Sequence, residues 1–358
     1  MIKKIGLLLF VIALNSSCKA QEFNKAKLDS FLNALTNHNK NMGSLAISVN
    51  GAMLYQKAIG YQQINNGIKI PATTKTKYRV GSISKMFTAS IIFQLIQEGK
   101  LSLTTSLATY YPQLPNAEKI TIGEMLSHRS GLHNFTSDSL YRSYMAKRQS
   151  EAHMIALFEK EKPDFNPDEK FEYSNTNFVL LGYIIEKITG KTYAEELKQR
   201  ITSKIGLKDT FYGGKINSAN DEAYSYTFNS EWEQMPETDM SIPGGAGGIV
   251  STPTDLVKFI EALFDGKLIS QDNLEHMKTI KNNYGMAMMQ MPFDNKISYG
   301  HGGAIDGFLS MLGYFPEDKL AIAYISNGVV FSTNDVMIGA LSIYFINLTL
   351  YLSLKLSY

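Results

Sequence analysis

Lys85 is the only charged residue between Arg79 and Glu98, and it opens a stretch with little choice of fold. The run from Met86 to Gln97 is apolar on nearly every helical face, which places it as a helix in the middle of the fold. Gly99 supplies its stop. Residues three apart share a helix face, so Ser82 and Lys85 are expected to project together from the first turn. A buried ammonium is costly, and desolvation lowers its pKa. A Lys in that state beside a Ser hydroxyl at a helix N-terminus makes a nucleophile. The ordinary reading stays open at this point, with Ser82 as an N-cap and Lys85 reaching to solvent. The same Ser-x-x-Lys spacing recurs at Ser16 to Lys19, in what reads as a leader.

The 358 residues are 44% hydrophobic with a net charge of +2, enough for a large core and without a basic block suited to nucleic acid. The first 20 residues read as an export signal: Lys3 and Lys4, then an apolar run from Ile5 to Leu14 too short to span a membrane. Two endings are open, cleavage after Ala20 or lipidation of Cys18, the only cysteine. Either places the protein outside the cytoplasmic membrane, periplasmic, secreted or lipid-anchored, and the mature fold has no disulfide.

Lys27 to Leu35 reads as an amphipathic helix, and Asn50-Gly51 as the turn of a hairpin from Leu45 to Ile59. From 101 to 237, helical stretches (122–127, 152–160, 178–188) are joined by Pro-containing loops. Strand signals return at 286–291, 308–315 and 320–326, and a helix from Thr333 to Phe345 closes the domain. The fold class is α+β: an antiparallel sheet built from 21–100 and 238–346, flanked by terminal helices, with a mostly helical insertion at 101–237. The tail, 347–358, alternates Leu with polar residues and has no clear assignment.

Tyr173-Ser174-Asn175 precedes an apolar helix, so Ser174 or Asn175 is an obvious N-cap; the functional alternative gives Tyr173 a proton-transfer role with its pKa lowered by Lys85. Tyr299 to Ala304 is a glycine-rich segment around His301, read either as a turn or as a sheet edge open to a substrate. Thr252 as N-cap, Pro253 at the first helical position and Asp255 closing a capping box predict a helix start, and Ser127-His128-Arg129-Ser130-Gly131 a structural turn. There is no Gly-x-Ser-x-Gly elbow, no clustered His motif for a metal and no phosphate loop.

Ser82-x-x-Lys85, Tyr173-x-Asn175 and His301-x-Gly303, in that order, resemble the serine β-lactamase-like superfamily, in particular its class C and D-alanyl-D-alanine carboxypeptidase branch of S12-type peptidases. The phrases around Ser127–Leu132, Gly247–Thr252 and Gly302–Phe308 are similar too. The resemblance implies a β-lactamase/transpeptidase-like fold and no cofactor. Ser82 would form an acyl-enzyme, Lys85 and Tyr173 would move protons, Asn175, His301 and Gly303 would bind substrate, and the backbone N–H groups of Ser82 and Ala304 would form the oxyanion hole. Class C enzymes carry Lys-Thr-Gly where this chain has His301-Gly302-Gly303, which argues against efficient β-lactam hydrolysis. The expected substrates are D-amino-acid peptides, cell-wall fragments, small esters or amides. A silent sensor of wall peptides or β-lactams is the rival.

Overall fold

The computed structural model describes residues 23–65 and 67–345. The expected export signal with Cys18 and the 347–358 tail lie outside the described residues. Among the described residues, no helix is long and apolar enough to cross a membrane.

Asn50 and Gly51 both take positive φ, 52° and 78°, the requirement of a tight hairpin turn between strands β1 (Asn41–Val49) and β2 (Ala52–Ile59). The same sheet takes in β3 (Tyr226–Asn229), β4 (Glu231–Gln234), β5 (Met289–Phe293), β6 (Lys296–Ile305), β7 (Phe308–Phe315) and β8 (Leu320–Val329). Its main path runs β5-β6-β7-β8-β1-β2, antiparallel at every step, so the two ends of the chain meet at β8 and β1. β3 joins β8 in parallel at Tyr226 and pairs with β4.

Both faces of the central strands are covered, and the side-chain alternation shows how. On β8, Leu320, Ile322 and Tyr324 face helices α1 (Lys25–Asn37) and α5 (Thr333–Phe345), packing with Leu28, Phe31 and Val336. The intervening Ala321, Ala323 and Ile325 join the second, larger core with α2 (Ser84–Gln97), α3 (Asn175–Thr189) and α4 (Pro253–Phe264). α2 is buried from Ser84 to Phe93, as its composition requires. It ends on Gly99 at φ 69°, with Lys100 N–H bonded to Leu95 O and Gly99 N–H to Ile96 O, a left-handed cap.

Three expectations are corrected. Of the two readings of Tyr299–Ala304 the turn fails: the segment is the body of β6, paired with β7 in register Gly300↔Gly313 and His301↔Leu312, and past Gly300 its ladder runs to β7 alone, as at a sheet edge. Its glycines erase the apolar alternation that marks other strands, and only the ladder reveals it. The 101–237 stretch contributes β3 and β4 to the large sheet as well as helices. Thr252 caps α4 by accepting from Asp255 N–H, but Asp255 does not close the box; its carboxylate accepts from Asp209 N–H (2.8 Å) and Thr210 Oγ1 (3.1 Å).

The end of β6 is fixed by a buried ion pair. Asp306, in the turn to β7 at φ 53°, accepts from Arg79 Nη1 at 2.8 Å and from the Thr238 N–H and hydroxyl. Arg79 also donates to Thr238 O, Gly214 O and Glu237. The two charged side chains are 2% and 1% exposed. Arg79→Met leaves the Asp306 carboxylate buried beside no cation, a loss of about 3–5 kcal/mol. Denaturant unfolding of wild type and variant measures it, and a change under about 1 kcal/mol would show that the pair is dispensable.

Candidate active site

Ser82 lies in the three-residue helical turn Gly81–Ile83 that leads into α2. Gly81, at φ 53°, and Gly303 allow two backbones to meet here. A Cβ on Gly303 would lie 2.1 Å from Val80 O and 3.0 Å from Ser82 N, and one on Gly81 would lie 2.7 Å from Ala304 N. β6 therefore passes directly beside the Ser82 turn. The α2 hydroxyls secure the opposite wall: Ser84 Oγ accepts from Ile249 N–H (3.1 Å) and Thr88 Oγ1 donates to Gly245 O (2.7 Å).

Lys85 is fully buried, and its Nζ has three neutral partners: Ser82 Oγ at 2.9 Å, Asn175 Oδ1 at 2.8 Å and Ala246 O at 2.8 Å. Burial holds its pKa well below the ordinary lysine value. A neutral amine has two N–H groups and one lone pair. The amide oxygen of Asn175 and the carbonyl of Ala246 can only accept, so whenever the amine gives up a proton they take the two N–H groups and the lone pair is left for the Ser82 hydroxyl. This is the geometry of a general base.

Tyr173 sits beside Ser82, with its ring centroid 4.9 Å from Lys85 Nζ. The expected lowering of its pKa by Lys85 does not occur. Burial raises the phenol above its ordinary value, with the Ser82 hydroxyl only partly offsetting this. The cause is desolvation of the buried phenol. Burial pushes the two groups in opposite directions, Tyr173 toward keeping its proton and Lys85 toward losing one.

Asn175 is the first residue of α3, and Ser174 is the N-cap residue but makes no side-chain cap bond. The cap comes from elsewhere: Asn134 Oδ1 accepts from Asn175 N–H at 2.9 Å. The Asn175 amide nitrogen donates to Asn134 Oδ1 (3.3 Å) and Thr136 Oγ1 (3.0 Å), which turns its oxygen toward Lys85.

His301 is placed differently from expectation. It is 2% exposed, its ring centre 6.3 Å from that of Tyr173, and it accepts from Tyr284 OH through Nε2 at 2.9 Å, while Nδ1–H donates to Gly302 O. Burial, with Lys85 adding to it, brings its pKa down to about 3, so it is a neutral ring and not a carboxylate receptor. Gly303 serves the close approach of backbones described above. A cavity of about 620 Å³ opens over Ser82, with Asn175, Ala246 and Ala304 in its walls and Phe135, Tyr141, Arg142 and Met235 farther out.

Asn134, Thr136, Ala246, His128 and Tyr284 were not singled out by the sequence as site residues. Ala246 acts through its carbonyl, which no side-chain pattern reveals, and the others are distant in sequence from the motifs they support. Elsewhere, His133, Asp138 and Glu161 bring ligand atoms within 4.8 Å of one another. Both His133 nitrogens are already bonded to Asp138 and Asp164 at 2.9 Å.

A family model described as Beta-lactamase matches residues 31–339. Teichoic acid D-alanine hydrolase of Staphylococcus aureus (strain MRSA252) is 28% identical over 246 residues, 68% of this chain and 58% of that protein. Penicillin-binding protein 4* of Bacillus subtilis (strain 168) is 27% identical over 329 residues, 85% of this chain and 72% of that protein. The structure of D-amino acid amidase from Ochrobactrum anthropi SV3 complexed with L-phenylalanine amide superposes with a TM-score of 0.77 at 27% identity, covering 89% of this chain and 97% of that one.

Because burial lowers the Lys85 pKa in the fold, the unfolded state binds more protons between the folded value and the ordinary one near 10.5, so stability rises with pH across that window. Wild type should gain stability relative to Lys85→Met between neutral pH and pH 10. Parallel stability curves for the two proteins would mean that Lys85 is charged in the fold.

Proposed function

Because the chain belongs to the beta-lactamase family and is a serine hydrolase of that fold, we propose that it cleaves small D-amino-acid amides or esters through an acyl-Ser82 intermediate. The observation that carries this reading is the three-way coordination of the Lys85 amine by Ser82, Asn175 and Ala246. Ser82 Oγ attacks the carbonyl carbon while its proton passes to Lys85 Nζ. Negative charge develops on the carbonyl oxygen, between the Ser82 and Ala304 amides, and an oxyanion donor of this kind contributes on the order of 10²–10³ in rate. Only now does Lys85 become a cation, and its charge favours proton release from the adjacent Tyr173. The Tyr173 proton goes to the leaving nitrogen or oxygen as the acyl bond to it breaks, and the proton on Lys85 then restores Tyr173. Water attacks the acyl-enzyme along the same proton route and Ser82 is regenerated.

The likeness to a D-amino acid amidase and to a teichoic acid D-alanine hydrolase supports the D-configured acyl group. The neutral, buried His301 leaves the cavity without the cation of a Lys-Thr-Gly motif, which argues against strong β-lactam hydrolysis. Cell-wall or envelope esters and amides remain the substrates in keeping with the Lys3-Lys4 and Ile5–Leu14 leader, and with it we propose an exported protein.

Ser82→Ala should retain the fold and lose at least about 10³-fold in kcat on D-alanine esters and amides. Intact mass with a labelled penicillin should show an adduct that the variant lacks. Unchanged kcat in the variant would refute the mechanism, and an adduct without any turnover of esters or amides would favour the sensor reading.

Substrate charge is set by the outer wall. Among the described residues, Asp306 is the one carboxylate lining the cavity and is paired with Arg79, whereas Arg142 is exposed there and in no ion pair. Arg142→Gln should raise KM for substrates with an anionic leaving group about tenfold more than for neutral ones. Equal effects on both would remove Arg142 from substrate selection.

A further inference from the structure

His128, in the Ser127–Gly131 turn, is the buried group that the mechanism above leaves unused. It is fully buried and sits at φ 55°, a left-handed conformation uncommon for a residue with this side chain. Its contacts converge on Tyr173. Glu172 N–H donates to His128 O at 3.0 Å, and Ser174 N–H donates to His128 Nδ1 at 3.2 Å. The imidazole lies against the Tyr173 ring, centroids 4.1 Å apart and planes tilted by 34°. One residue thus grips the backbone on either side of Tyr173 and the ring between.

The bonding fixes the imidazole's state. A backbone N–H can only donate, so Nδ1 accepts and carries no proton, and the Asn177 amide nitrogen approaches the same atom at 3.4 Å. The ring is therefore neutral with its proton on Nε2. Among the described residues that atom has no hydrogen-bond partner, and the rings of Phe171, Phe178 and Tyr284 pack around the imidazole with centroids 4.9–6.2 Å away. Burial, with Lys85 and His301 nearby, holds the pKa of His128 well below its ordinary value, which keeps Nδ1 available. An unpartnered buried N–H and a left-handed backbone are both costly. Core packing alone does not account for them, since an aromatic hydrocarbon in an ordinary conformation fills such space without either cost.

We propose that His128 is the positioning residue for Tyr173, holding the phenol against Ser82 through an acceptor at Nδ1 and a face-to-ring contact. The inference rests on the proton-transfer role of Tyr173. A displacement of about 1 Å at a reacting group can cost about 10²-fold, which sets the expected size of the effect.

The experiment compares His128→Asn, His128→Phe, Tyr173→Phe and the double variant Tyr173→Phe/His128→Phe, with kcat, KM and Tm for each on a D-alanine ester. Asn offers an acceptor oxygen and tolerates the left-handed backbone, so His128→Asn should keep kcat within about tenfold of wild type. His128→Phe keeps a ring but loses the acceptor, and should lose about 10²-fold in kcat with KM within about threefold. If His128→Phe does not fold, His128→Gly carries the same expectation, since glycine accepts the backbone angle without an acceptor or ring. In the Tyr173→Phe background the His128 change should cost nothing further, because the group it positions is gone. Near-wild-type kcat in a folded His128→Phe, or an undiminished loss in the Tyr173→Phe background, would overturn the assignment. Full activity of Tyr173→Phe alone would instead refute the proton-transfer role itself.

Discussion

Lys85 is buried without a carboxylate beside it, and that desolvation drives its amine toward the unprotonated form. Its three hydrogen-bond partners, Ser82, Asn175 and Ala246, come from three different parts of the chain and carry no charge. An acid in their place would hold Lys85 as a cation and remove the lone pair that faces Ser82. Desolvation acts on the neighbours as well. Tyr173 keeps its proton, and His301 and His128 stay neutral, so one physical cause sets the resting protonation state of the whole cluster.

That arrangement requires three walls to be fixed independently. The α2 hydroxyls of Ser84 and Thr88 hold the segment that supplies the Ala246 carbonyl. Asn134 and Thr136 orient the Asn175 amide. The Arg79–Asp306 pair fixes the turn after Ala304, and the bare backbones of Gly81 and Gly303 let β6 lie against the Ser82 turn. None of these supports touches a reacting atom, yet each sets the position of one that does.

Much of the framework is legible in residue order. The buried helix is visible because Lys85 is isolated in an uncharged run, the first hairpin because Asn50-Gly51 accepts positive φ, and the β7–β8 hairpin because apolar runs flank a polar turn. β6 is not legible: its glycines carry no hydrophobic period, and its strand character comes from pairing on both sides. The role of His301 is misread for a related reason. Its hydrogen-bond partner Tyr284 lies outside the motif, and burial there removes the charge that would draw a carboxylate.

What the sequence by itself determined is the chemistry that can be assembled: a serine and a lysine one helical turn apart on a helix too apolar to be exposed, with Tyr173 and Asn175 at the start of a second helix. Those properties depend on local spacing and on solvent exclusion, which neighbouring residues encode directly. Tertiary structure alone decided the protonation states and the aim of each group. Dielectric burial, the Ala246 carbonyl, the grip of His128 on Tyr173 and the neutral state of His301 all arise between segments tens to hundreds of residues apart. Their energies depend on distances of a few ångströms that no local pattern records.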